Sequence, residues 1–315
     1  MDVKNITNIS VIGSGLMGHG ITQIFATQGY TVTMLDLDHE ILSKAIEKIR
    51  SNLNLMAQRG IGQQDEIEPS IQRIKTTLDL GEAVSHAQFV IEAVSEKLEV
   101  KQKIFHDLDS LCPGETILAT NTSVISITEI AQKAHNRQRI VGTHFWNPPY
   151  LIPLVEVTRG EETSPQVMDS TVELLKLVGK HPVRVNTDVP GFVGNRLQHA
   201  LWREAISIVE KGIADPETVD EVIKKGFGIR LSVLGPLENA DMVGLDLTLA
   251  IHDYILRHIE GSPEPSPLLK EKVEMEHFGF KTGKGFYKWT PEKAEGTREK
   301  LLGYLLEWAK EQGER

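Results

Sequence analysis

The chain has 315 residues, long enough for two domains, because a single hydrophobic core rarely grows past roughly 250–300 residues. A net charge of −10 sets the whole-molecule field against nucleic acid and anionic membrane surfaces, so an anionic ligand has to be held by a local device. The lone cysteine, Cys112, excludes an internal disulfide framework; with no basic-then-apolar leader and no apolar run near the ~20 residues of a membrane span, a cytoplasmic protein with no nucleic-acid or membrane partner and no metal site is expected.

In chain order, "ITNISVI" (6–12) is a β-branched run that ends at "GSGLMG", and "HGITQIFATQG" carries apolar residues at helical spacing. "YTVTMLDLD" is a second strand, so the start reads as a βαβ unit. Residues 38–77 are polar and helical in pattern, broken by "GIG" and Pro69, and predict a helical hairpin projecting from the sheet. Strands follow at 87–94 and 116–122 around a helix at about 97–111, then "RIVGTHF", "LVEVTRG", a helix over "PQVMDSTVELLKLVG" and a last strand, "HPVRVN". From "TDVPGFVGN" onward the pattern is almost wholly helical, with helices predicted at 192–211, 216–226, 237–259 and 266–277 before a glycine-punctuated tail, "FGFKTGKGFYKW". Residues 291–315 read as an amphipathic helix bearing Leu301, Leu302, Tyr304, Leu305, Leu306 and Trp308, a packing face against the body or a second subunit. The expected architecture is α/β: a Rossmann-like domain with an inserted hairpin over 1–188, an all-helical domain over 189–290, and a helical extension over 291–315.

"GSGLMG" supplies Gly13, Gly15 and Gly18, with Leu16 and Met17 between them, directly after a strand and before a helix. A tight turn, a backbone close to a pyrophosphate and a helix packed on its strand need this spacing, and the helix N-terminus offers free N–H groups to a diphosphate. Asp36 closes the second strand, where an acidic side chain accepts hydrogen bonds from a ribose and repels a 2′-phosphate; this favours NAD over NADP.

"THFWNPPYLIPLVEV" sets His144 at the mouth of an apolar segment and Glu156 near its far end. Either this is a core strand with a polar start, or the two side chains meet.

Five stretches together, "GSGLMG", "NTS" (121–123), "HFWNPPYLIPLVEV", "PGFVGNR" (190–196) and "KTGKGFY" (281–287), resemble the 3-hydroxyacyl-CoA dehydrogenase family over about residues 6–289. The resemblance implies an NAD-dependent enzyme that usually dimerises through its C-terminal helical domain. It further implies that His144 is the catalytic base, oriented by Glu156, and that Ser123 and Asn195 hold the reacting oxygen of the substrate. Histidine titrates near neutrality and can take and return the alcohol proton, and a carboxylate on its other nitrogen fixes the tautomer. Ser123 is also well placed to cap the helix begun by "VISITEIA", and Asn195 to bond a helix N-terminus. By the same resemblance Glu96, Lys101, Asn147 and Lys281 line the nicotinamide end of the cofactor.

The chain is intermediate: "GLDLTLAIHDYI" and the "KTGKGFY" tail are as in acyl-CoA members, while two features depart from them. Those that bind CoA tend to carry a lysine-rich stretch on the inserted hairpin, whereas "KAIEKIRSNLNLMAQRGIG" offers only Lys44, Lys48, Arg50 and Arg59. The longer connection "KKGFGIRLSVLGPLENAD", with "ALWREA" and "NPPYLIPLVEV", is more similar to relatives acting on free carboxylates: gulonate dehydrogenase with lambda-crystallin, carnitine dehydrogenase and a pyridine-carboxylate dehydrogenase. Arg230 in that stretch suits a bidentate grip on a carboxylate, or an ordinary surface or interdomain ion pair. The leading expectation is a 3-hydroxyacyl-CoA substrate, with a free hydroxy carboxylate behind it. A non-catalytic NAD-binding protein has no reason to keep Ser123, His144, Glu156 and Asn195 together.

Overall fold

The opening β-branched run forms β1 (Asn8–Ile12), buried along nearly its whole length, as a central strand covered on both faces must be. After it come α1 (Gly18–Thr27), β2 (Thr31–Leu35), α2 (His39–Gln58), α3 (Ile67–Gln72) and β3 (Ile74–Thr77). Next are α4 (Leu80–Val84), β4 (Phe89–Glu92), α5 (Leu98–Leu111), β5 (Ile117–Thr120) and α6 (Ile127–Ala131). The sheet is completed by β6 (Ile140–Phe145), β7 (Leu154–Arg159), α7 (Pro165–Leu177) and β8 (His181–Val185). This computed structural model describes residues 3–313.

Among those residues the strands form one eight-stranded sheet in the order β3-β2-β1-β4-β5-β6-β7-β8. Pairing is parallel from β3 to β6; β7 runs antiparallel to β6, and β8 parallel to β7. Side chains alternate between two apolar layers with the strand period of two. On β4, Phe89 and Ile91 join the layer built with Ile21 and Phe25 of α1 and Leu175 of α7. Val90 faces the other, built with Phe105 and Leu108 of α5 and Ile130 of α6. Strand order reverses at the β1–β4 boundary, the place where open α/β sheets leave a crevice at their carboxyl ends.

The chain divides into two units: one runs to Asn195 and resumes at Leu301, the other is Arg196–Lys300. The second holds most of α8 (Gly194–Glu210), then α9 (Pro216–Lys225), α10 (Pro236–Val243), α11 (Leu245–Ile255), α12 (Pro267–Glu274) and the start of α13 (Pro291–Gly313). Helix starts are set by local chemistry: Asp215 accepts from the Thr218 N–H at 2.8 Å and Ser266 from Leu269 at 3.3 Å, each followed by proline in the first turn. The "GFYKW" tail is held by Tyr287, whose hydroxyl donates to Asp220 of α9 at 3.0 Å, and by an edge-on Phe280–Trp289 contact.

Two expectations are corrected. Residues 74–77 are not part of the hairpin: "IKTT" pairs parallel with β2 as the edge strand β3, since an edge strand buries little and shows no apolar run. The single helix expected over 237–259 is two, because Gly244 at φ +103° breaks it between α10 and α11.

Candidate active site

The glycine loop leaves β1 and enters α1. A Cβ on Gly18 would overlap the Gly13 carbonyl, whereas nothing lies within 4 Å of the corresponding position on Gly15, which opens on a space a ligand backbone can enter. The Gly13 N–H donates to the Leu35 carbonyl at 2.8 Å, tying the loop to the end of β2. Asp36 stands there with one oxygen accepting from both the N–H and the hydroxyl of Ser14, each at 2.7 Å, and the other accepting from the Leu37 N–H at 2.8 Å. Leu16 is exposed and Met17 half-buried beside the opening. A close backbone cradle, a helix N-terminus and a fixed carboxylate fit the pyrophosphate and ribose of NAD.

His144 and Glu156 are cross-strand partners in the β6–β7 ladder. Both are buried, and His144 Nδ1 lies 2.8 Å from Glu156 Oε2. The other oxygen, Oε1, accepts from the N–H groups of Val193 and Gly194, each at 2.9 Å, and Trp146 Nε1 approaches Oε2 at 3.4 Å. Burial alone raises the Glu156 carboxyl, but the His144 contact and the two N–H donors outweigh it and hold it below its ordinary value. Glu156 is therefore a carboxylate with fixed partners, and Nε2 is the ring nitrogen of His144 left without a hydrogen bond among the described residues. The His144 ring is flanked by Trp146 and Phe192 at centroid distances of 5.3 and 5.9 Å.

The turn that delivers the two N–H groups is strained. Phe192 sits at φ +48°, a left-handed conformation that costs a non-glycine residue on the order of 1–3 kcal/mol. Its buried ring in the layer under α5 and α6 holds it there. Gly194 has no substitute, because a Cβ would collide with the Trp146 ring.

The "NTS" segment follows β5. Asn121 accepts from the Phe145 N–H at 2.9 Å, fixing the strand end next to His144. The Ser123 N–H donates to Glu96 at 2.8 Å, its carbonyl accepts from Asn195 Nδ2 at 2.8 Å, and its hydroxyl has no partner among the described residues. The α6 cap is Ser126, which accepts from the Glu129 N–H, so Ser123 is not needed for it. Glu96 also accepts from the Thr122 hydroxyl at 2.6 Å and the Val124 N–H at 3.2 Å. Lys101 is fully buried, its ammonium 2.7 Å from Glu92 and 3.3 Å from Glu96. Burial works against the Glu96 carboxylate, and the Thr122 hydroxyl, Lys101 and the backbone donors reverse that and lower its pKa.

Hydrogen bonds thus link Ser123, Asn195, Glu96 and Lys101 in one network, and His144 with Glu156 in a second that adjoins it at Gly194 and Asn195. Asn147 is exposed on the β6–β7 connection. Arg230 and Lys281 lie in the second unit; both are exposed, and Arg230 forms no ion pair among the described residues. Sequence reasoning missed Trp146, Asn121, Ser14 and the Val193–Gly194 donors. All of these stand inside the quoted stretches, which mark their place but not the bonds they make. Cys112 is no nucleophile at neutral pH, since burial pushes its thiol up to about 11.

A mostly parallel sheet with a dinucleotide cradle at its switch point, beside a carboxylate-paired histidine, defines an NAD-dependent oxidoreductase. Two family models match: "3-hydroxyacyl-CoA dehydrogenase, NAD binding domain" over residues 8–189 and "3-hydroxyacyl-CoA dehydrogenase, C-terminal domain" over residues 191–289. The chain belongs to the 3-hydroxyacyl-CoA dehydrogenase family and is an NAD-dependent enzyme of that type, acting on a CH–OH group. It is 37% identical over 303 residues to 5-formyl-3-hydroxy-2-methylpyridine 4-carboxylate 5-dehydrogenase of Mesorhizobium japonicum, covering 96% of each chain. It is 40% identical over 283 residues to a probable 3-hydroxybutyryl-CoA dehydrogenase of Bacillus subtilis, covering 90% of this chain and 97% of the relative. Among solved structures, the pyridine-carboxylate enzyme, described as an NAD+-dependent dismutase, superposes with TM-score 0.89 at 34% identity over 96% of each chain. The (S)-3-hydroxybutyryl-CoA dehydrogenase of Ralstonia eutropha gives 0.77 at 33% identity, covering 91% of this chain and all of the other. No described helix is long and apolar enough to cross a membrane.

Proposed function

We propose that the protein interconverts a hydroxyl and an oxo group on a small free carboxylate, with His144 as base and acid. The observation that carries the chemistry is the buried 2.8 Å contact between His144 Nδ1 and Glu156 Oε2, with Nε2 left open. Glu156, kept ionised by its donors, stabilises the imidazolium that forms when Nε2 takes the alcohol proton. The Ser123 hydroxyl and Asn195 hold the reacting oxygen as its charge develops. Trp146 and Phe192 keep bulk water from the imidazole. With its pyrophosphate held by the Gly13–Gly18 cradle and its ribose by Asp36, NAD would supply the acceptor for the hydride that leaves the carbinol carbon.

The free-carboxylate reading is supported by the hairpin and by the extension. Lys44 and Arg50 are already paired, with Glu40 at 2.6 Å and Glu68 at 2.8 Å, which leaves less positive charge for a phosphorylated handle. Helix α13 lies beyond both matched family segments, and the pyridine-carboxylate relative matches across 96% of the chain. In this reading Arg230 is the guanidinium for the carboxylate. A 3-hydroxyacyl-CoA thioester is the second reading, favoured by the 40% identity to the Bacillus subtilis relative.

The second unit supports self-association. No residue of α9 to α12 is buried, and Val233, Leu237, Leu245, Leu249 and Tyr254 are all more than half exposed. A second copy of the chain is the cover we infer for that apolar face.

His144→Gln tests the chemistry. Turnover should fall roughly 10²–10⁴-fold while NADH affinity, read by fluorescence titration, stays nearly unchanged. An equal loss of NADH binding, or undiminished turnover, would remove His144 from the catalytic role.

A further inference from the structure

Lys180 follows the α7 turn at Gly179 and precedes β8, remote in sequence from the dyad. Its ammonium donates to the Pro149 carbonyl at 2.5 Å and the Ile152 carbonyl at 3.1 Å and has no carboxylate partner among the described residues. The side chain is half-buried, and the desolvation of its ammonium pushes the pKa down to about 8. Both carbonyls belong to the connection between β6 and β7, residues 146–153, which ties the strand of His144 to that of Glu156. The Pro153 carbonyl of the same connection accepts from the His181 N–H at 2.9 Å, next to Lys180.

The connection is also fastened on its cofactor side. Pro149 packs over Gly20 of α1, so closely that a Cβ there would stand 2.6 Å from its ring. The Tyr150 hydroxyl donates to Asn52 of α2 at 3.2 Å, and Asn52 donates to Gln23 of α1 at 3.1 Å. At the near end of the connection is Trp146, which approaches Glu156 Oε2 and faces the His144 ring.

We propose that Lys180 is a positioning residue for the reaction: by holding the Pro149 and Ile152 carbonyls it keeps Trp146 in place over the His144–Glu156 pair. The inference rests on the dyad being the proton-transfer machinery. Lys180 touches neither substrate nor cofactor in this role; it sets the geometry in which Nε2 meets the alcohol. A displacement of about 1 Å at a reacting pair costs up to roughly 10²-fold in rate.

The test compares full-length Lys180→Met and Lys180→Arg with the parent, His144→Gln serving as control. Turnover of acetoacetyl-CoA and of acetoacetate is measured with NADH and with 4-deuterated NADH, alongside NADH affinity, thermal midpoint and the downfield proton resonance of the His144 ring. Lys180→Met should lower kcat about 10–100-fold with KM and NADH affinity nearly unchanged, raise the isotope effect on kcat, and shift or broaden the His144 resonance. Lys180→Arg, which keeps the donors, should recover most of kcat. A fall in kcat that only follows the folded fraction, with isotope effect and resonance unmoved, would reduce Lys180 to a structural lysine. Normal kcat in Lys180→Met beside an inactive His144→Gln would overturn this proposal alone, whereas an active His144→Gln would overturn the dyad and the proposal with it. If neither substrate turns over, an unmoved His144 resonance in Lys180→Met overturns the proposal and a moved one supports it.

Discussion

The two units of the chain are built on opposite terms. The first packs its strands and helices around four apolar clusters and buries ionisable groups such as Glu92, Lys101, His144 and Glu156 with partners supplied for each. In the second, α9 to α12 bury nothing, and its leucines and valines stand in the open. Fixed chemistry needs a filled surround, because a carboxylate such as Glu156 stays ionised in the interior only while every donor around it is locked. An open apolar face has a different use: it is surface awaiting another surface. The difference is what the proposed function builds on: proton transfer in the first unit and assembly through the second.

Glu156→Gln attacks the filled side of this contrast and carries the larger expected effect. The amide cannot stabilise an imidazolium, and turnover should drop by roughly 10²-fold or more in steady-state assays. Stability should respond as well. The folded-state pKa of Glu156 is depressed, so its contribution is present above about pH 4.3, the unfolded value, and is lost as pH falls through the folded value. Glu156→Gln titrates in neither state, and its acid-unfolding curve should be flatter than the parent's. An unchanged curve would mean that His144 and the N–H donors of Gly194 and Val193 are not stabilising the charge.

The open side is probed by Leu245→Asp with Leu249→Asp on α11. Sedimentation equilibrium should show the parent at twice the 35.1 kDa chain mass and the double variant shifted toward the monomer, with NADH affinity reduced no more than about twofold. A parent that runs as a monomer would leave the exposed leucines without the explanation offered for them. This effect on chemistry is the smaller of the two, since the dyad and the cofactor cradle lie in the first unit.

Much of this was legible in the sequence because the signals are local. The strand–glycine–helix order announces the cradle, and a histidine and glutamate twelve residues apart around three prolines turned out to be cross-strand partners. What escaped is non-local or energetically quiet. Strand β3 is a short edge, and its four residues lack the apolar run that marks a buried strand. Gly244 looked like one glycine inside a helical pattern, and only its positive φ makes it a break. The resemblance sets Lys101 at the nicotinamide end of the cofactor; that its ammonium is buried between Glu92 and Glu96 depends on β4 and α5 packing together. Lys180 gives no sign at all, because its partners are backbone carbonyls about thirty residues away.

The proposed function puts the chemistry in the buried dyad and draws its free-carboxylate substrate from the paired hairpin charges, helix α13 and Arg230. NADH consumption by the purified protein, with acetoacetyl-CoA beside a panel of free keto acids and with Arg230→Ala included, tests that reading most directly. Turnover of a free keto acid that collapses in the arginine variant, with little or none of the thioester, is the predicted result. Fast turnover of acetoacetyl-CoA, untouched by the arginine change, would contradict it and make the thioester the substrate.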